Sequence, residues 1–169
     1  KPMLQTAGAS RELNRLDIKN REPLPSNVED AVLSHLDSLW SSVDVLLVLD
    51  QVSEPECGVV TARVRERIAW HGARDPSKVV IADSRERIDL FQNVYVKPNE
   101  RECLRAAPHG ATLRDALLHL VQHARRPVIC TSGDRGMLVA TPQSDDLQIV
   151  PAYPVSGPID TVGAGDASS

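Results

Sequence analysis

Apolar positions along the chain fall into two alternating patterns, helical spacing and short continuous runs. Helical spacing from Ser26 onwards predicts a first helix, with the apolar face Val28, Val32, Leu36 and Leu39. Ser26 and Glu29 have the spacing of a capping box, which would fix the start of this helix. The run 43–49 that follows is almost wholly apolar and ends at Asp50, so it predicts a central parallel strand covered on both faces.

The two patterns continue to alternate after Asp50. Val60, Val64 and Ile68 predict a second helix with Gly72 as its stop. Further helices are predicted from Glu100 and from Thr112, and the inward face of the latter is Leu113, Leu117, Leu120, Val121 and Ala124. Buried strands are predicted at 78–82, 94–96 and 127–130, and a hairpin pair at 137–140 and 147–150. The stretches 1–25 and 151–159 read as irregular.

Alternation of helices with buried strands predicts an α/β fold of three layers, with a mainly parallel central sheet between helix layers. Ligands of such sheets bind beyond the carboxyl ends of the strands. Polar side chains fall at or just after those ends: Asp50, Asp83, Lys97, Asn99 and Thr131. The sequence therefore predicts a ligand site at one edge of the sheet.

Length and composition narrow the class of protein. The 169 residues fit one domain, a net charge of −4 provides no basic face for nucleic acid, and 3% aromatic residues provide few stacking platforms. No apolar run approaches the ~20 residues of a membrane helix, and no secretory signal is present. The three cysteines Cys57, Cys103 and Cys130 are widely spaced, which favours reduced thiols in a cytoplasmic protein. Because Lys1 begins the chain and the last motif nearly ends it, we expect a partial domain, 1–169, of a longer protein.

The strongest chemical motif is the segment Asp160–Asp166, with the sequence DTVGAGD. Small residues at Gly163, Ala164 and Gly165 allow close approach of the backbone to a ligand. Consecutive amides at a helix start then form an anion hole suited to a transferring phosphoryl group. Asp166 at its rim is placed to accept a proton from an attacking hydroxyl. Taken alone, the same segment also fits a tight loop with an N-capping aspartate.

Two further motifs follow predicted strand ends. The segment 131–136, TSGDRG, has glycines three apart that can expose amides to phosphate, although an ordinary β-turn would have the same residues. Asn99 and Glu102 are also three apart, so one helical turn places both on one face. Their oxygens suit hydrated Mg²⁺, whereas a helix start with favourable acidic residues is the structural alternative.

Together the three motifs resemble the ribokinase/PfkB family of carbohydrate kinases, in the order and approximate spacing of that family. They are Asn99-x-x-Glu102, Thr131-x-Gly133-x-x-Gly136 and Asp160-Thr161-x-Gly163-Ala164-Gly165-Asp166. The resemblance implies a ribokinase-like fold and an ATP-dependent phosphotransferase that acts on a hydroxyl of a sugar or sugar phosphate by in-line transfer.

The resemblance also implies residue roles. Asp166 is the expected base, and Gly163, Ala164 and Gly165 form the expected anion hole. Asp160 matches a position that in some members helps to hold a monovalent cation, and Asn99 and Glu102 match the pair that organises Mg²⁺. The expected ATP-binding residues are Lys97, Asn99, Thr131, Gly133 and Gly136.

A finer resemblance points to the heptose-phosphate kinase branch, through Asn14-Arg15-Leu16-Asp17, Leu24-Pro25 and the strands that end at Asp50 and Asp83. In that branch an aromatic residue, a lysine and a glycine follow the first of these strands. This chain has Gln51-Val52-Ser53-Glu54-Pro55 instead, which leaves the acceptor open.

Two other functions stay open at this point: a non-catalytic nucleotide-binding module with a kinase-like core, and a kinase of a nucleoside or vitamin-precursor alcohol. The expected partner is a small molecule rather than nucleic acid or membrane, and a homodimer is possible. His119 and His123 have a zinc-compatible spacing, but the residues between them include no glutamate, which favours a partly exposed helix face.

Overall fold

The computed structural model describes residues 3–6, 9–12 and 18–154. Its first two strands, β1 (Met3–Thr6) and β2 (Ala9–Glu12), pair antiparallel in a sheet of their own. The expectation of an irregular segment over 1–25 is therefore wrong for these strands. Strands of four residues with few apolar positions give no period-two pattern that could reveal them.

A six-stranded sheet forms the centre of the fold, with strand order β3-β4-β5-β6-β7-β8. The first four strands are parallel to one another. Strand β7 is antiparallel to both of its neighbours, β6 and β8. Their bounds are β3 (Val45–Asp50), β4 (Val79–Ser84), β5 (Tyr95–Val96), β6 (Val128–Thr131), β7 (Met137–Thr141) and β8 (Ser144–Val150). The predicted α/β class, the mainly parallel sheet and the final hairpin are confirmed.

Among the described residues, four α-helices connect the strands: α1 (Ser26–Trp40), α2 (Ala62–Arg74), α3 (Glu100–Ala106) and α4 (Leu113–Ala124). The capping box predicted for Ser26 and Glu29 is wrong, because Pro25 precedes the helix without any side-chain cap. The Glu29 carboxylate instead accepts a hydrogen bond from the Thr61 hydroxyl at 2.5 Å and pairs with Arg63. Glu29 therefore joins α1 to α2 rather than starting α1.

Gly72 lies inside α2 and does not end it. A Cβ atom at this position would stand 2.4 Å from the backbone oxygen of Asn93, so only glycine lets α2 approach that loop. The prediction of a helix stop at Gly72 is wrong because a tertiary contact, not a helix end, requires the glycine.

The core lies between the helices and one face of the sheet. Its sheet side chains are Val48, Val80, Ala82, Val96, Val128, Cys130 and Ala140, and its helix side chains include Leu33, Val64, Ile68, Leu117 and Leu120. On the other face, Val45, Leu47 and Leu49 of β3 are each about half exposed. Strand β3 is also the first strand in the order of the six-stranded sheet, so it is an outermost strand. The prediction of a central strand covered on both faces is therefore wrong for the described residues.

All three cysteines are free and buried, in agreement with the predicted reduced thiols. A hydrogen bond with the Cys130 thiol, together with burial, raises the pKa of the Cys103 thiol.

Within the described residues, none of the helices has the combined length and apolarity needed to cross a membrane.

Candidate functional site

The carboxyl ends of the four parallel strands meet at one edge of the sheet, as predicted. Asp50 ends β3, Asp83 lies at the end of β4, and Thr131 ends β6. Lys97 follows β5 directly, and Asn99 forms a parallel bridge with Thr131. The polar side chains selected from the sequence are therefore neighbours along one sheet edge, which we call the carboxyl edge.

Asn99 and Glu102 form a reciprocal capping box at the start of α3. The Asn99 side-chain oxygen accepts from the Glu102 amide at 2.9 Å, and Glu102 Oε2 accepts from the Asn99 amide at 2.9 Å. Asn99 and Glu102 therefore have the structural role that the sequence left open, at the start of a helix. Mg²⁺ binding by the same two side chains would be a second role, and it stays a prediction.

The Glu102 carboxyl has an unusual electrostatic environment. Burial raises its pKa above the ordinary value, against the lowering effect of the Asn99 amide hydrogen bond. The nearby carboxylate of Asp83 raises this pKa further, whereas Arg105 and Lys97 lower it. Two carboxylates and a lysine therefore interact at one point of the carboxyl edge.

Lys97 is held by an ion pair in a buried position. Its Nζ lies 3.0 Å from Asp83 Oδ2, and the lysine side chain is only 6% exposed. Because a buried ammonium is stable only with a partner, Asp83 is what keeps the cation at the carboxyl edge. Sequence analysis placed both residues at strand ends but did not detect their pairing.

The segment 131–136 forms a tight turn after β6, with a short 3₁₀ helix at Gly133–Arg135. Both glycines have positive φ angles, +59° for Gly133 and +91° for Gly136. A Cβ on Gly136 would stand 2.1 Å from the Val150 oxygen, whereas a Cβ on Gly133 would meet nothing within 4 Å. Gly136 is therefore required by the fold, and Gly133 leaves its backbone open to approach.

Arg135 connects this turn to α3. Its guanidinium pairs with the carboxylate of Glu100, the first residue of that helix. The Asn99–Thr131 bridge joins the two strand-end motifs, and this largely exposed ion pair is a second, weaker contact between them. The structure thus brings together six predicted site residues: Lys97, Asn99, Glu102, Thr131, Gly133 and Gly136.

A buried polar network follows β3 and β4, and sequence reasoning missed it. The Asp50 carboxylate accepts from Arg87 at 2.8 and 3.1 Å and from the Ser84 hydroxyl at 2.7 Å. Arg87 also donates to the Ser53 carbonyl at 2.9 Å and to the Val52 carbonyl. The only signal in the sequence was the position of Asp50 at a strand end, since its partners are distant along the chain.

The segment Asp160–Asp166 lies outside the described residues. The predicted roles of Asp160, Gly163, Ala164, Gly165 and Asp166 therefore stay predictions.

Across the described part of the chain, no group of three or more His, Cys, Asp or Glu side chains is arranged to hold a metal ion. The rings of His119 and His123 lie 4.4 Å apart, and His123 Nδ1 is 3.2 Å from the His119 carbonyl.

Solved structures with the same fold include several kinases. Ribokinase from Giardia lamblia matches with a TM-score of 0.60 and 21% identity over 84% of this chain and 44% of that one. Adenosine kinase from Schistosoma mansoni in complex with 2-fluoroadenosine matches with a TM-score of 0.59 and 18% identity, over 80% and 46% of the two chains. Ribokinase from Arabidopsis thaliana, complexed with ribose and ATP, gives 0.56 and 18%, over 86% and 44%.

These likenesses establish a ribokinase-like fold, and the chain spans less than half the length of the solved structures that it matches. A comparison with curated proteins gave no match. The family model described as pfkB family carbohydrate kinase matches residues 20–169, which is most of the chain. This chain therefore belongs to the pfkB family of carbohydrate kinases.

Proposed function

We propose that this protein transfers the γ-phosphoryl group of ATP to a hydroxyl group of a sugar or sugar phosphate by in-line displacement. The observation that carries the proposal is the meeting of two motifs at one sheet edge. The helix start at Asn99 and Glu102 bridges to the turn at Thr131–Gly136, beside the buried Lys97–Asp83 ion pair. Phosphoryl transfer needs mainly positioning and charge stabilisation, which such an edge provides.

ATP would lie on the β6 side of the carboxyl edge. The open backbone at Gly133 allows a phosphate or ribose to approach the turn closely. Lys97 follows β5, the strand that pairs with β6, so in this proposal its ammonium, which Asp83 orients, interacts with a phosphate oxygen on the same sheet edge. In this proposal Thr131 and Asn99 supply the polar groups between the lysine and the turn.

The donor set at Asn99 and Glu102 fits hydrated Mg²⁺. Both side chains offer hard oxygens, and Glu102 uses Oε2 for the capping box, so its second carboxylate oxygen is free of that hydrogen bond. When bound, Mg²⁺ would neutralise phosphate charge and orient the γ-phosphoryl group. Glu102 and Asn99 would hold water molecules of the hydrated ion, while their capping contacts keep both side chains in place.

The motif near the end of the chain completes the proposed chemistry. Asp166 accepts the proton of the attacking hydroxyl, and the amides of Gly163, Ala164 and Gly165 stabilise charge on the transferring group. Asp160 would help to hold a monovalent cation beside this anion hole. In the same proposal, residues 1–169 are part of a single ribokinase-like domain of a cytoplasmic enzyme, and a homodimer is compatible with it.

A panel of acceptors tests this function in the full-length protein. We expect Mg·ATP binding by isothermal titration calorimetry and acceptor-dependent ADP release in a coupled assay. Sugars, sugar phosphates and nucleosides belong in the panel, because a nucleoside or vitamin-precursor acceptor is the second kinase class that the sequence leaves open. Binding of Mg·ATP without ADP release on any acceptor would instead indicate a non-catalytic nucleotide-binding module.

A further inference from the structure

His119 and His123 lie one helical turn apart on α4 and project from the same side of the helix. Their ring centroids are 4.4 Å apart, and the ring planes are tilted by 46°. The residues between them include no glutamate, which argues against a HExxH hydrolase site, but two imidazoles can bind a metal ion without it. Because α4 ends just before β6 begins, His123 lies toward the end of the strands opposite to the carboxyl edge.

A hydrogen bond determines which nitrogen of His123 is available to a ligand. Its Nδ1 lies 3.2 Å from the carbonyl oxygen of His119. A carbonyl oxygen only accepts hydrogen bonds, so Nδ1 carries the proton and donates it. In the neutral imidazole the free lone pair is then on Nε2. This arrangement is typical of metal-binding histidines, in which the second ring nitrogen donates to a backbone carbonyl or a carboxylate.

His119 has space for a ligand beside its ring. The half-buried side chain lines an open cavity of about 470 Å³, to which Asp115 and Gln122 also contribute. Both hydrogen bonds of the Asp115 carboxylate with Thr112 use Oδ2, so the other carboxylate oxygen is free of the capping contacts. Water molecules on a bound ion would therefore find a carboxylate and an amide as hydrogen-bond partners in this cavity.

The separation of the two rings favours a metal ion with bond angles near 90°. A metal about 2 Å from one nitrogen of each ring stands roughly 3.2 Å from each ring centroid. The centroids are then about 4.5 Å apart at a right angle and about 5.2 Å apart at the tetrahedral angle. The observed 4.4 Å agrees with the first value. Tetragonal sites of nitrogen and oxygen ligands are typical of Cu²⁺ and Ni²⁺, whereas Mg²⁺ prefers oxygen ligands.

We propose that His119 and His123 form a binding site for a divalent transition metal of the Cu²⁺ and Ni²⁺ class, with water in the remaining coordination positions. The two imidazoles are its protein ligands, so the site needs no cluster of three ligating side chains. A bound ion joins two successive turns of α4. It stabilises the folded form, because the unfolded chain does not hold the two rings together. The site does not depend on the kinase function proposed above.

Calorimetric titration of Ni²⁺ into the full-length protein tests this site, without an affinity tag and with Mg²⁺ in excess. We expect His119→Gln and His123→Gln each to weaken Ni²⁺ binding by at least ~10-fold, the low end for loss of even a supporting residue around a metal. His35→Gln removes an exposed histidine of α1 and is the matched control, which should bind Ni²⁺ like the wild type. Ni²⁺ should raise the Tm of the wild type and of the control, but not of the other two variants.

Absence of Ni²⁺ binding by the wild type would overturn the proposal. Unchanged affinity in either His119→Gln or His123→Gln would also overturn it, since the site needs both rings. Electron paramagnetic resonance of bound Cu²⁺ counts the ligand nitrogens directly. Two coupled imidazoles in the wild type and one in each variant support the site, whereas a single imidazole in the wild type contradicts it. The wild-type spectrum decides the question even if a substitution lowers the stability of the protein.

Discussion

Lys97 Nζ lies 3.0 Å from Asp83 Oδ2, and this contact joins β4 to the residue after β5 at the point where the parallel strands end. The lysine is almost fully buried. Removal of one partner of a buried ion pair leaves an uncompensated charge, which is much more costly than removal of both. The pair therefore has two separable roles, one in stability and one in the proposed binding of phosphate.

Lys97→Met separates these roles. We expect a loss of ~3 kcal/mol in the free energy of unfolding, and recovery of most of it in Lys97→Met/Asp83→Asn, measured by urea denaturation. The ATP KM should rise ~10-fold or more in both variants, because neither has the cation. If the double variant regains normal ATP binding along with its stability, Lys97 has only the structural role.

Glu102→Gln distinguishes capping from metal binding. Glutamine can also complete a capping box, so α3 should keep its stability. Because folding raises the pKa of Glu102, its ionisation costs stability: the cost is absent below the ordinary value of 4.5 and complete above the raised pKa. Glu102→Gln removes this cost, so at neutral pH we expect no loss of Tm.

The activity of Glu102→Gln should nevertheless fall by ~10-fold or more at limiting Mg²⁺, since the carboxylate that would hold water molecules of the hydrated ion is lost. In the wild type, the apparent Mg²⁺ affinity should decrease as pH falls through the raised pKa of Glu102. Titration of activity with Mg²⁺ at several pH values measures both effects. A variant with wild-type Mg²⁺ dependence would show that capping is the only role of Glu102.

The two glycines of the turn after β6 should respond differently to alanine. At Gly136 the new Cβ would stand 2.1 Å from the Val150 oxygen, so we expect loss of several kcal/mol of stability or failure to fold. At Gly133 only the positive φ opposes alanine, at ~1–2 kcal/mol. Gly133→Ala should therefore fold and bind ATP more weakly; thermal melts with and without ATP compare the two.

Asp166→Asn tests the proposed base. In the full-length protein we expect kcat to fall by at least ~100-fold while Tm and the ATP KM stay close to the wild type, because the amide cannot accept the proton. Asp145→Asn, on strand β8, is a matched control with an exposed carboxylate. Near-normal turnover of Asp166→Asn would refute its role as the base.

Local signals in the sequence predicted local structure well. A helix was predicted from Thr112 onwards, and Thr112 with Asp115 forms the capping box at the start of α4. The alternation of apolar patterns likewise gave the class of the fold and the strand ends that carry Lys97, Asn99 and Thr131. These features depend on neighbours within a few residues, which a single sequence displays directly.

Contacts between distant segments could not be predicted in the same way. Glu29 has the right spacing to cap α1, but Thr61 and Arg63 of a later segment bind it. The Arg87–Asp50 pair and the close approach of α2 at Gly72 also depend on residues far apart along the chain. Spacing alone does not show which distant partner competes for a polar side chain, so these parts of the site required the structure.

The half-exposed aliphatic row of β3, Val45, Leu47 and Leu49, affects how the chain behaves in solution on its own. The backbone of an outermost strand is a template for pairing with other polypeptides, and an exposed aliphatic row adds apolar surface to it; natural proteins usually block such strands with charge. We expect residues 1–169 in isolation to associate with rising concentration, as light scattering would detect. Leu47→Lys should suppress this self-association without loss of helical content.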